Sequence, residues 1–287
     1  MPRDLLNRIQ AALPNMSKGQ KLIANYILNH YDKAAFYTAL KLGQTVGVSE
    51  STVVRFASLL GYEGYPELQS SLQELIRNKL TSVQRFEMAD TQIGTGELID
   101  RVLSLDIERI KRTLETTSRE DFANAVDAIV AARKIYILGV RSSGALANFL
   151  GFYLNEMFDN VHMVHTATSS EVFEQIIRVS KEDAVIGISF PRYSKQTYKA
   201  MTYASNMGAS VIAITDSRSA PIAEVANHVL IAASDMISVV DSLTAPLSLI
   251  NALIVALGQK RRDEVIQTFA KLERIWEEYQ IYEKSEG

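Results

Sequence analysis

The stretch Ile135-Tyr-Ile-Leu-Gly-Val-Arg-Ser-Ser-Gly144 decides the fold of the larger part of the chain. Its first five residues are apolar and predict a short buried strand, and the polar residues after them predict a loop. A helical pattern begins directly behind that loop. A strand, a polar loop and a helix in direct succession form the repeating unit of a parallel sheet.

Four further apolar runs follow the same pattern, and helical segments separate the strands. The runs are Val161-His-Met-Val-His165, Ala184-Val-Ile-Gly-Ile-Ser189, Ser210-Val-Ile-Ala-Ile-Thr215 and His228-Val-Leu-Ile-Ala232, and the helical segments are 144–158, 170–179, 195–207 and 220–226. Near-continuous apolar strands that alternate with helices indicate a parallel sheet covered on both faces. The predicted fold is a doubly wound, five-stranded parallel α/β sheet.

Helical periodicity also flanks the predicted sheet. Two helices, 98–113 and 121–132, precede it, and a long helical tail over 244–282 follows it. The first part of the tail, 245–257, is nearly all apolar. We therefore expect this part to be buried in the core or against a partner subunit.

A different pattern occupies residues 1–80, where every predicted element is a helix. The stretch from Gly47 to Tyr65 predicts a tight turn, a short helix over 50–60 with Ser49 as its N-cap, and a stop at Gly61. Four apolar residues at helical spacing are expected to be buried: Val53, Phe56, Ala57 and Leu60. The opposite face offers only short or cationic hydrogen-bonding side chains: Ser51, Thr52, Arg55 and Ser58.

This short helix follows another that begins near Thr38, so the two form a helix-turn-helix arrangement. A helix held by its apolar side suits the major groove of DNA, but an ordinary surface helix explains this stretch about equally well. Five helices predict an all-α domain over 1–80. A linker over 81–97 would join it to the α/β domain over 98–287.

The composition limits the classes of protein that are possible. The 287 residues are 47% hydrophobic and 22% charged, which is ordinary for a soluble globular protein with two domains. The chain has no cysteine, which excludes disulfides, thiolate metal sites and cysteine nucleophiles, and we expect neither a metal nor a cofactor. We find no signal peptide pattern and no apolar run of about 18 residues, so we expect a cytoplasmic protein without a membrane partner.

The charge is unevenly distributed between the two predicted domains. Residues 1–80 carry nine Lys/Arg and six Asp/Glu, a net charge of +3, and the overall −3 leaves −6 for the remainder. Phosphate attraction is local, because salt screens it within about 10 Å. The first domain is mildly basic and the second is acidic, and this difference favours DNA binding by the first domain.

Two polar loops are expected to lie side by side at the carboxyl ends of neighbouring strands, where open α/β sheets bind ligands. They are Gly139-Val-Arg-Ser-Ser-Gly144 and Ser189-Phe-Pro-Arg-Tyr-Ser-Lys195. Backbone N–H groups at a helix start can bind a phosphate together with the serine hydroxyls of the two loops: Ser142, Ser143, Ser189 and Ser194. Serines that only cap helices are the alternative, and neither loop carries a nucleotide-binding fingerprint.

The carboxyl half resembles a sugar isomerase (SIS) domain, and the amino half resembles the helix-turn-helix of the RpiR family of bacterial transcriptional regulators. The matching stretches are Ile23-Ala-Asn-Tyr-Ile-Leu, Gly47-Val-Ser-Glu-Ser-Thr-Val-Val-Arg-Phe, Leu60-Gly-Tyr-Glu-Gly-Tyr, Ile214-Thr-Asp-Ser and the two serine loops. The resemblance spans nearly the whole chain. It implies a transcription factor whose DNA affinity is set by a phosphorylated sugar bound in those loops.

Both loops depart from the SIS pattern. The family's first loop usually reads Gly-x-Gly-x-Ser, but Arg141 replaces the second glycine, and Pro191 and Arg192 replace the inner serine and glycine of the second. We hypothesise that both arginines bind an anionic ligand, and pairing with an acid across a subunit boundary is the alternative. The predicted ligand-binding residues are Gly139, Arg141, Ser142, Ser143, Ser189, Arg192, Ser194 and Lys195.

The same interpretation assigns DNA contacts. Arg55 is expected to bind a guanine, supported by the hydroxyl residues Ser49, Ser51, Thr52 and Ser58. Phosphate contacts are expected from Lys18, Lys21, Lys41 and Tyr65. A palindromic operator and a homodimer follow from two-fold symmetry, and a homotetramer stays possible.

Two other functions fit the sequence. A phosphosugar isomerase needs a base, for which Glu171 and His165 are the best-placed candidates, although Glu171 also suits the first turn of a helix. A sugar-binding module whose helical domain docks a protein is the third possibility. The polar run from Ser234 to Ser242 either closes the ligand site or caps the apolar helix behind it.

Overall fold

The computed structural model describes residues 2–77, 98–165, 168–235 and 240–282. The chain divides into two compact units, an N-terminal unit over Met1–Gln92 and a C-terminal unit over Ile93–Gly287. The predicted linker, 81–97, lies outside the described residues.

The N-terminal unit is helical throughout its described part, as predicted. Its elements are α1 (Pro2–Ala12), a 3₁₀ turn (Leu13–Asn15), α2 (Lys18–Ala34), α3 (Ala39–Val46), α4 (Glu50–Leu59) and α5 (Tyr65–Arg77). A capping box opens α2: the Gln20 N–H donates to Ser17 Oγ over 3.4 Å, and the Ser17 N–H donates to Gln20 Oε1 over 3.0 Å. Phe56, Val53, Ala57 and Leu60 are buried in the core, as their spacing predicts.

The turn between α3 and α4 depends on two glycines. Gly47 ends α3 in the left-handed conformation with φ +78°, which glycine adopts without a steric cost. At Gly43 a Cβ atom would lie 2.7 Å from the carbonyl oxygen of Val48, so any larger residue would push the turn away from α3. Ser49 does not cap α4 as predicted, because its hydroxyl lies 3.0 Å from that of Ser51 and 2.9 Å from that of Thr52.

The C-terminal unit contains a five-stranded sheet in the order β2-β1-β3-β4-β5, with every neighbouring pair parallel. The strands are β1 (Ile135–Gly139), β2 (Val161–Met163), β3 (Ala184–Ile188), β4 (Ser210–Thr215) and β5 (His228–Ile231). The helices are α6 (Leu98–Thr116), α7 (Arg119–Ala131), α8 (Ser142–Met157), α9 (Ser169–Ile176), α10 (Lys195–Asn206), α11 (Thr244–Lys260) and α12 (Arg262–Glu278). The predicted fold class is confirmed.

Helices cover both faces of the sheet. One core contains residues of α7, α8 and α11, and the core on the other face contains residues of α9 and α10. The chain runs from β1 outward to β2 and then crosses to β3 on the other side of β1. The direction of winding therefore changes between β1 and β3, which creates the crevice where such sheets bind ligands.

Two helical predictions need correction. Segment 220–226 contains a 3₁₀ turn over Pro221–Val225, and the long tail is two helices that meet at Arg261. Arg261 lies with its guanidinium 5.3 Å from the Phe158 ring centre. The apolar start of the tail is buried in the core of its own unit, since Ile250, Leu253 and Leu257 are fully buried.

Candidate functional site

The two polar loops lie side by side at the carboxyl edge of the sheet. Gly139, the last residue of β1, is paired in register with Ile188, the last residue of β3. Helix α8 begins at Ser142, directly behind the first loop, and α10 begins at Lys195, at the end of the second loop. Two helix N-termini therefore meet the crevice between β1 and β3, where their N–H groups and dipoles favour an anion.

The first loop brings α8 very close to β1. A Cβ atom on Gly139 would lie 2.5 Å from the carbonyl oxygen of Ser143, so only glycine permits this approach. The Gly144 N–H donates to the Arg141 carbonyl over 3.0 Å and closes the turn. Arg141 has φ +58° and ψ −124°, a backbone conformation that normally belongs to glycine.

Ser143 is the hydroxyl of this loop best suited to a ligand. Its side chain is buried with 6% exposure, and it makes no hydrogen bond to any residue in the described part of the chain. Ser142, the residue before it, is exposed. The Ser143 hydroxyl oxygen is not among the fully buried polar atoms of the described chain, so a ligand or a water molecule can reach it.

The second loop is held by its own hydrogen bonds. Buried Ser189 accepts a bond from the Ser194 N–H over 3.2 Å, and its carbonyl accepts one from Thr215 Oγ1 over 2.8 Å. Ser194 caps α10 by accepting from the Thr197 N–H over 3.1 Å, the role that the capping alternative assigned to it. Arg192 is exposed and has φ +64°.

A side-chain pair that the sequence did not single out lies between this loop and the end of β4. The Tyr193 O–H donates to Asp216 Oδ1 over 2.9 Å, and Thr215 Oγ1 lies 3.3 Å from the same oxygen. The match to Ile214-Thr-Asp-Ser was the signal that could have found Asp216. The pair links the second loop to the neighbouring strand end.

The proposed isomerase bases lie beyond β2, at the edge of the sheet. The Glu171 N–H donates to Thr168 Oγ1 over 3.3 Å, so Glu171 occupies the capped first turn of α9. The His165 backbone is bound on both sides by the Gln175 amide, at 2.8 Å each. Burial lowers the pKa of His162, whose ring stacks on Tyr136 at 5.2 Å. These contacts favour a structural role for Glu171.

The polar run from Ser234 to Ser242 contacts α6. Ser234 Oγ donates to the Ser242 carbonyl over 3.0 Å, and Ser242 Oγ donates to Asp106 Oδ1 over 2.6 Å. Ser238, which belongs to the predicted run, lies outside the described residues. The described end of the run is therefore hydrogen-bonded to α6. That the run contributes to the ligand site stays a prediction.

In the N-terminal unit, most of the side chains predicted to contact DNA are exposed. Exposed are Lys18, Lys21, Lys41, Ser49, Ser51, Arg55 and Ser58, and Thr52 is half-buried. A Cβ atom on Gly19 would lie 3.3 Å from the Thr52 methyl group, so the start of α2 packs beside α4. The N–H groups at the start of α2 can therefore reach the same duplex as α4.

The prediction that Tyr65 contacts a DNA phosphate is wrong. Its side chain is 3% exposed, and its O–H donates to the Tyr37 carbonyl over 2.7 Å. Burial raises the pKa of Tyr65. A buried hydroxyl bound to the backbone cannot contact a phosphate, so Tyr65 holds α5 to the end of α2.

The sequence also missed Arg8, which donates to the Leu60 carbonyl and lies over the Tyr62 ring at 5.0 Å.

Comparison with known proteins identifies both units. Residues 3–79 match the helix-turn-helix domain of the rpiR family, and residues 128–256 match the SIS domain. The chain belongs to the rpiR family of helix-turn-helix proteins. Within this rpiR-family chain, no helix of the described ranges has the length and apolar character needed to span a bilayer.

Three relatives illustrate how far the similarity extends. An uncharacterized HTH-type transcriptional regulator of Haemophilus influenzae is 26% identical over 244 residues, which is 79% of each chain. The sugar isomerase domain of an RpiR transcription factor from Sphaerobacter thermophilus matches with a TM-score of 0.59 and 28% identity, over 62% of this chain and 98% of that one. The NanR protein of Vibrio vulnificus, solved with ManNAc-6P, matches with a TM-score of 0.58 and 21% identity, over 94% of this chain and 98% of that one.

Proposed function

We propose that this rpiR-family regulator binds an operator through α4 and a phosphorylated sugar at the carboxyl edge of its sheet, and that the sugar changes its affinity for DNA. The observation that carries the proposal is the pair of helix starts beside β1 and β3, where the Ser143 hydroxyl makes no hydrogen bond within the described chain and stays accessible to a ligand. An anion with three or more acceptor oxygens suits such a site.

The NanR neighbour supports the ligand class, because that protein was solved with a sugar phosphate, ManNAc-6P. Its 21% identity to this chain carries the fold and leaves the particular sugar open. A mobility-shift assay on DNA selected from a random pool, titrated with a panel of sugar phosphates, tests the whole proposal. Loss or gain of DNA affinity with at least one sugar phosphate supports it, and DNA binding that no sugar alters contradicts the sensor role.

Arg55 is exposed on α4, and we propose that its guanidinium contacts a base edge. We expect Arg55→Ala to cost about 1–3 kcal/mol of discrimination at one base pair, because a bidentate arginine–guanine contact is lost. Binding to random DNA should change much less. Titration of the selected site and of random DNA at several salt concentrations measures both effects.

Lys21→Ala is the control variant with which the DNA affinity of Arg55→Ala is compared. Lys21 is exposed on α2, and a phosphate contact there should be lost on all sequences alike, with a salt slope smaller by about one. Equal losses on the selected site and on random DNA in the Arg55 variant would contradict a base-reading role for Arg55.

The dimer that a palindromic operator requires has a candidate interface on α6. This helix buries the polar residues Arg109 and Thr113, half-buries Asp106, and exposes apolar residues. The exposed stripe consists of Ile99, Leu103, Ile107, Ile110 and Leu114, each at least 38% exposed. An open groove of about 490 Å³ lies beside it, lined by Phe122 and Leu249 among others. An inverted amphipathic helix favours a second copy of the chain as its cover.

We expect Ile107→Asp to convert the dimer to a monomer, because an aspartate in the centre of the stripe cannot be desolvated at the interface. Ile107 is 54% exposed, so the fold itself should tolerate the change. Light scattering at several concentrations measures the oligomeric state. Ser104→Asp adds the same charge at an exposed position of α6 outside the stripe and should stay dimeric. A dimeric Ile107→Asp protein would place the interface elsewhere.

We further infer that the chain acts without catalysing isomerisation. The support is the helix-capping environment of Glu171 and the presence of a helix-turn-helix unit, which an isomerase does not need. Conversion of arabinose 5-phosphate or fructose 6-phosphate, followed by NMR, is the discriminating measurement. Turnover that Glu171→Gln abolishes would establish the isomerase instead.

A further inference from the structure

We propose that Val54 reads a thymine of the operator by packing its two methyl groups against the C5-methyl group of that base. The inference rests on the proposed function, because it takes α4 as the helix that enters the major groove. It adds a specificity-determining residue that apolar spacing did not single out. It also adds a feature of the operator, namely a T·A pair beside the guanine that Arg55 is proposed to bind.

The first support is the position of Val54 on α4. The core side of this helix is occupied by fully buried residues, among them Val53 and Phe56, whereas Val54 is 40% exposed. Residues three and four positions apart share a helix face, so Val54 stands beside the exposed residues Ser51 and Ser58. Valine forms helices less readily than alanine, so helix propensity does not explain a valine at this exposed position.

The second support is that the hydroxyl groups around Val54 are held by local hydrogen bonds. Ser49 Oγ lies 3.0 Å from Ser51 Oγ and 2.9 Å from Thr52 Oγ1. Ser58 Oγ donates to the Val54 carbonyl over 3.4 Å. Hydroxyls bonded in this way have fewer hydrogen bonds to offer to base edges. Discrimination between bases therefore falls mainly to Val54 and to the arginine that follows it.

The other methyl-bearing side chains of α4 outside the core are less well placed. Thr52 is half-buried, and a Cβ atom on Gly19 would lie 3.3 Å from its methyl group, so this methyl packs towards the start of α2. Leu59 is 49% exposed but is the last residue of α4. A recognition helix contacts base edges chiefly with residues nearer its N-terminus, which favours Val54 over Leu59.

The third support is the chemistry of the two groups. The C5-methyl group of thymine is the apolar feature of the major groove, and apolar side chains recognise it by contact. Valine is branched at Cβ, and in a helix it holds one preferred side-chain rotamer. Little rotamer freedom is therefore lost when Val54 meets the base, so burial of the two methyl surfaces contributes directly to affinity.

Deoxyuridine tests the contact directly, because it lacks the C5-methyl group of thymidine and keeps every hydrogen bond of the base pair. The operator is first selected from a random DNA pool with the full chain, and each of its thymines is then replaced in turn. We expect one position in each half-site, beside the guanine whose preference is lost in Arg55→Ala, at which deoxyuridine lowers the affinity about fourfold. Fluorescence anisotropy with labelled DNA measures the affinities.

Val54→Ala completes the comparison. We expect this variant to bind the thymine operator about fourfold more weakly and to lose nothing further when that thymine becomes deoxyuridine, since both changes remove the same contact. Leu59→Ala removes another exposed apolar side chain from the same helix and should keep the full effect of deoxyuridine. Both variants should melt as the unchanged protein does, because neither residue is buried.

The outcomes separate this inference from the proposed function. If deoxyuridine has no effect at any thymine, or if its effect persists in Val54→Ala, the inference is overturned. A selected operator whose guanine preference depends on Arg55 would then still support α4 as the recognition helix. If the selection recovers no preferred sequence, the inference and the operator-binding role both fail, and ligand binding by the C-terminal unit is the part of the proposed function that remains.

Discussion

Phe56→Ala is expected to unfold the N-terminal unit and abolish DNA binding, while the C-terminal unit keeps its ligand. Phe56 lies on α4, is fully buried and is among the largest buried side chains. Truncating a buried phenylalanine costs about 3–5 kcal/mol through lost burial and the cavity left behind. A small helical unit has little more stability than that to lose. Circular dichroism melts, mobility shifts and calorimetry on the same preparation measure the three effects.

Leu59→Ala is the matched control for Phe56. It truncates a large apolar side chain on the same helix, but Leu59 is 49% exposed, so we expect a loss within about 0.5 kcal/mol and normal DNA binding. Retention of specific DNA binding by Phe56→Ala would contradict the role of α4 as the recognition helix. Simultaneous loss of ligand binding would mean that the two units do not fold independently.

Asp106→Ala is expected to destabilise the C-terminal unit by about 3–5 kcal/mol, the usual cost of removing one partner of a buried ion pair. Asp106 Oδ1 accepts hydrogen bonds from Arg109 over 3.2 Å and from Ser242 over 2.6 Å, and Oδ2 accepts one from Thr244 over 2.9 Å. The Arg109 side chain is 6% exposed, so its charge would stay buried without a partner. Urea unfolding of the full chain measures the change.

Two comparisons make the Asp106 result specific. Glu108→Ala removes an exposed carboxylate from the same helix and should change stability by less than about 0.5 kcal/mol. Asp106→Leu combined with Arg109→Met removes both charges and should recover a large part of the loss, because the remaining cost of a buried ion is gone. If the double variant is as unstable as Asp106→Ala, the packing of α6 matters more than the ion pair.

Further contacts hold α6 to the end of β5 and to the residues that follow it. Thr117, just behind α6, donates to the carbonyl of Ile231 at the end of β5 over 3.0 Å, and Thr113 accepts from the N–H of Ala233, which follows β5, over 2.9 Å. Arg112 also pairs with Asp235.

Local sequence patterns predicted most of the fold because each depends on neighbours in the chain. The alternation of apolar runs and helices predicted all five strands, and β4 was found over the predicted residues, Ser210–Thr215. The apolar spacing around Phe56 predicted the buried face of α4. Helical periodicity alone could not show that Arg261 divides the tail, because residues on both sides of it favour a helix.

Side-chain roles were less predictable because they depend on partners distant in sequence. Tyr65 resembled a phosphate contact until the fold placed its hydroxyl against the Tyr37 carbonyl, 28 residues away. Ser49 was a natural N-cap by position, but the neighbouring hydroxyls of Ser51 and Thr52 bind it instead. Nothing in the sequence predicted that Asp106 would be held by Ser242, which is 136 residues away.

By itself the sequence determined the class of the two units, the places of the strands and the two loops that replace glycine with Arg141 and Arg192. These features follow from local periodicity and residue type, which need no knowledge of distant contacts. The tertiary structure decided that both arginines have positive φ angles beside paired strand ends, and that the Ser143 hydroxyl makes no hydrogen bond in the described chain but stays accessible. It also decided that α6 turns polar residues inward and apolar ones outward. Those facts arise only when separate segments pack together, because backbone strain, burial and hydrogen-bond partners are properties of the assembled chain.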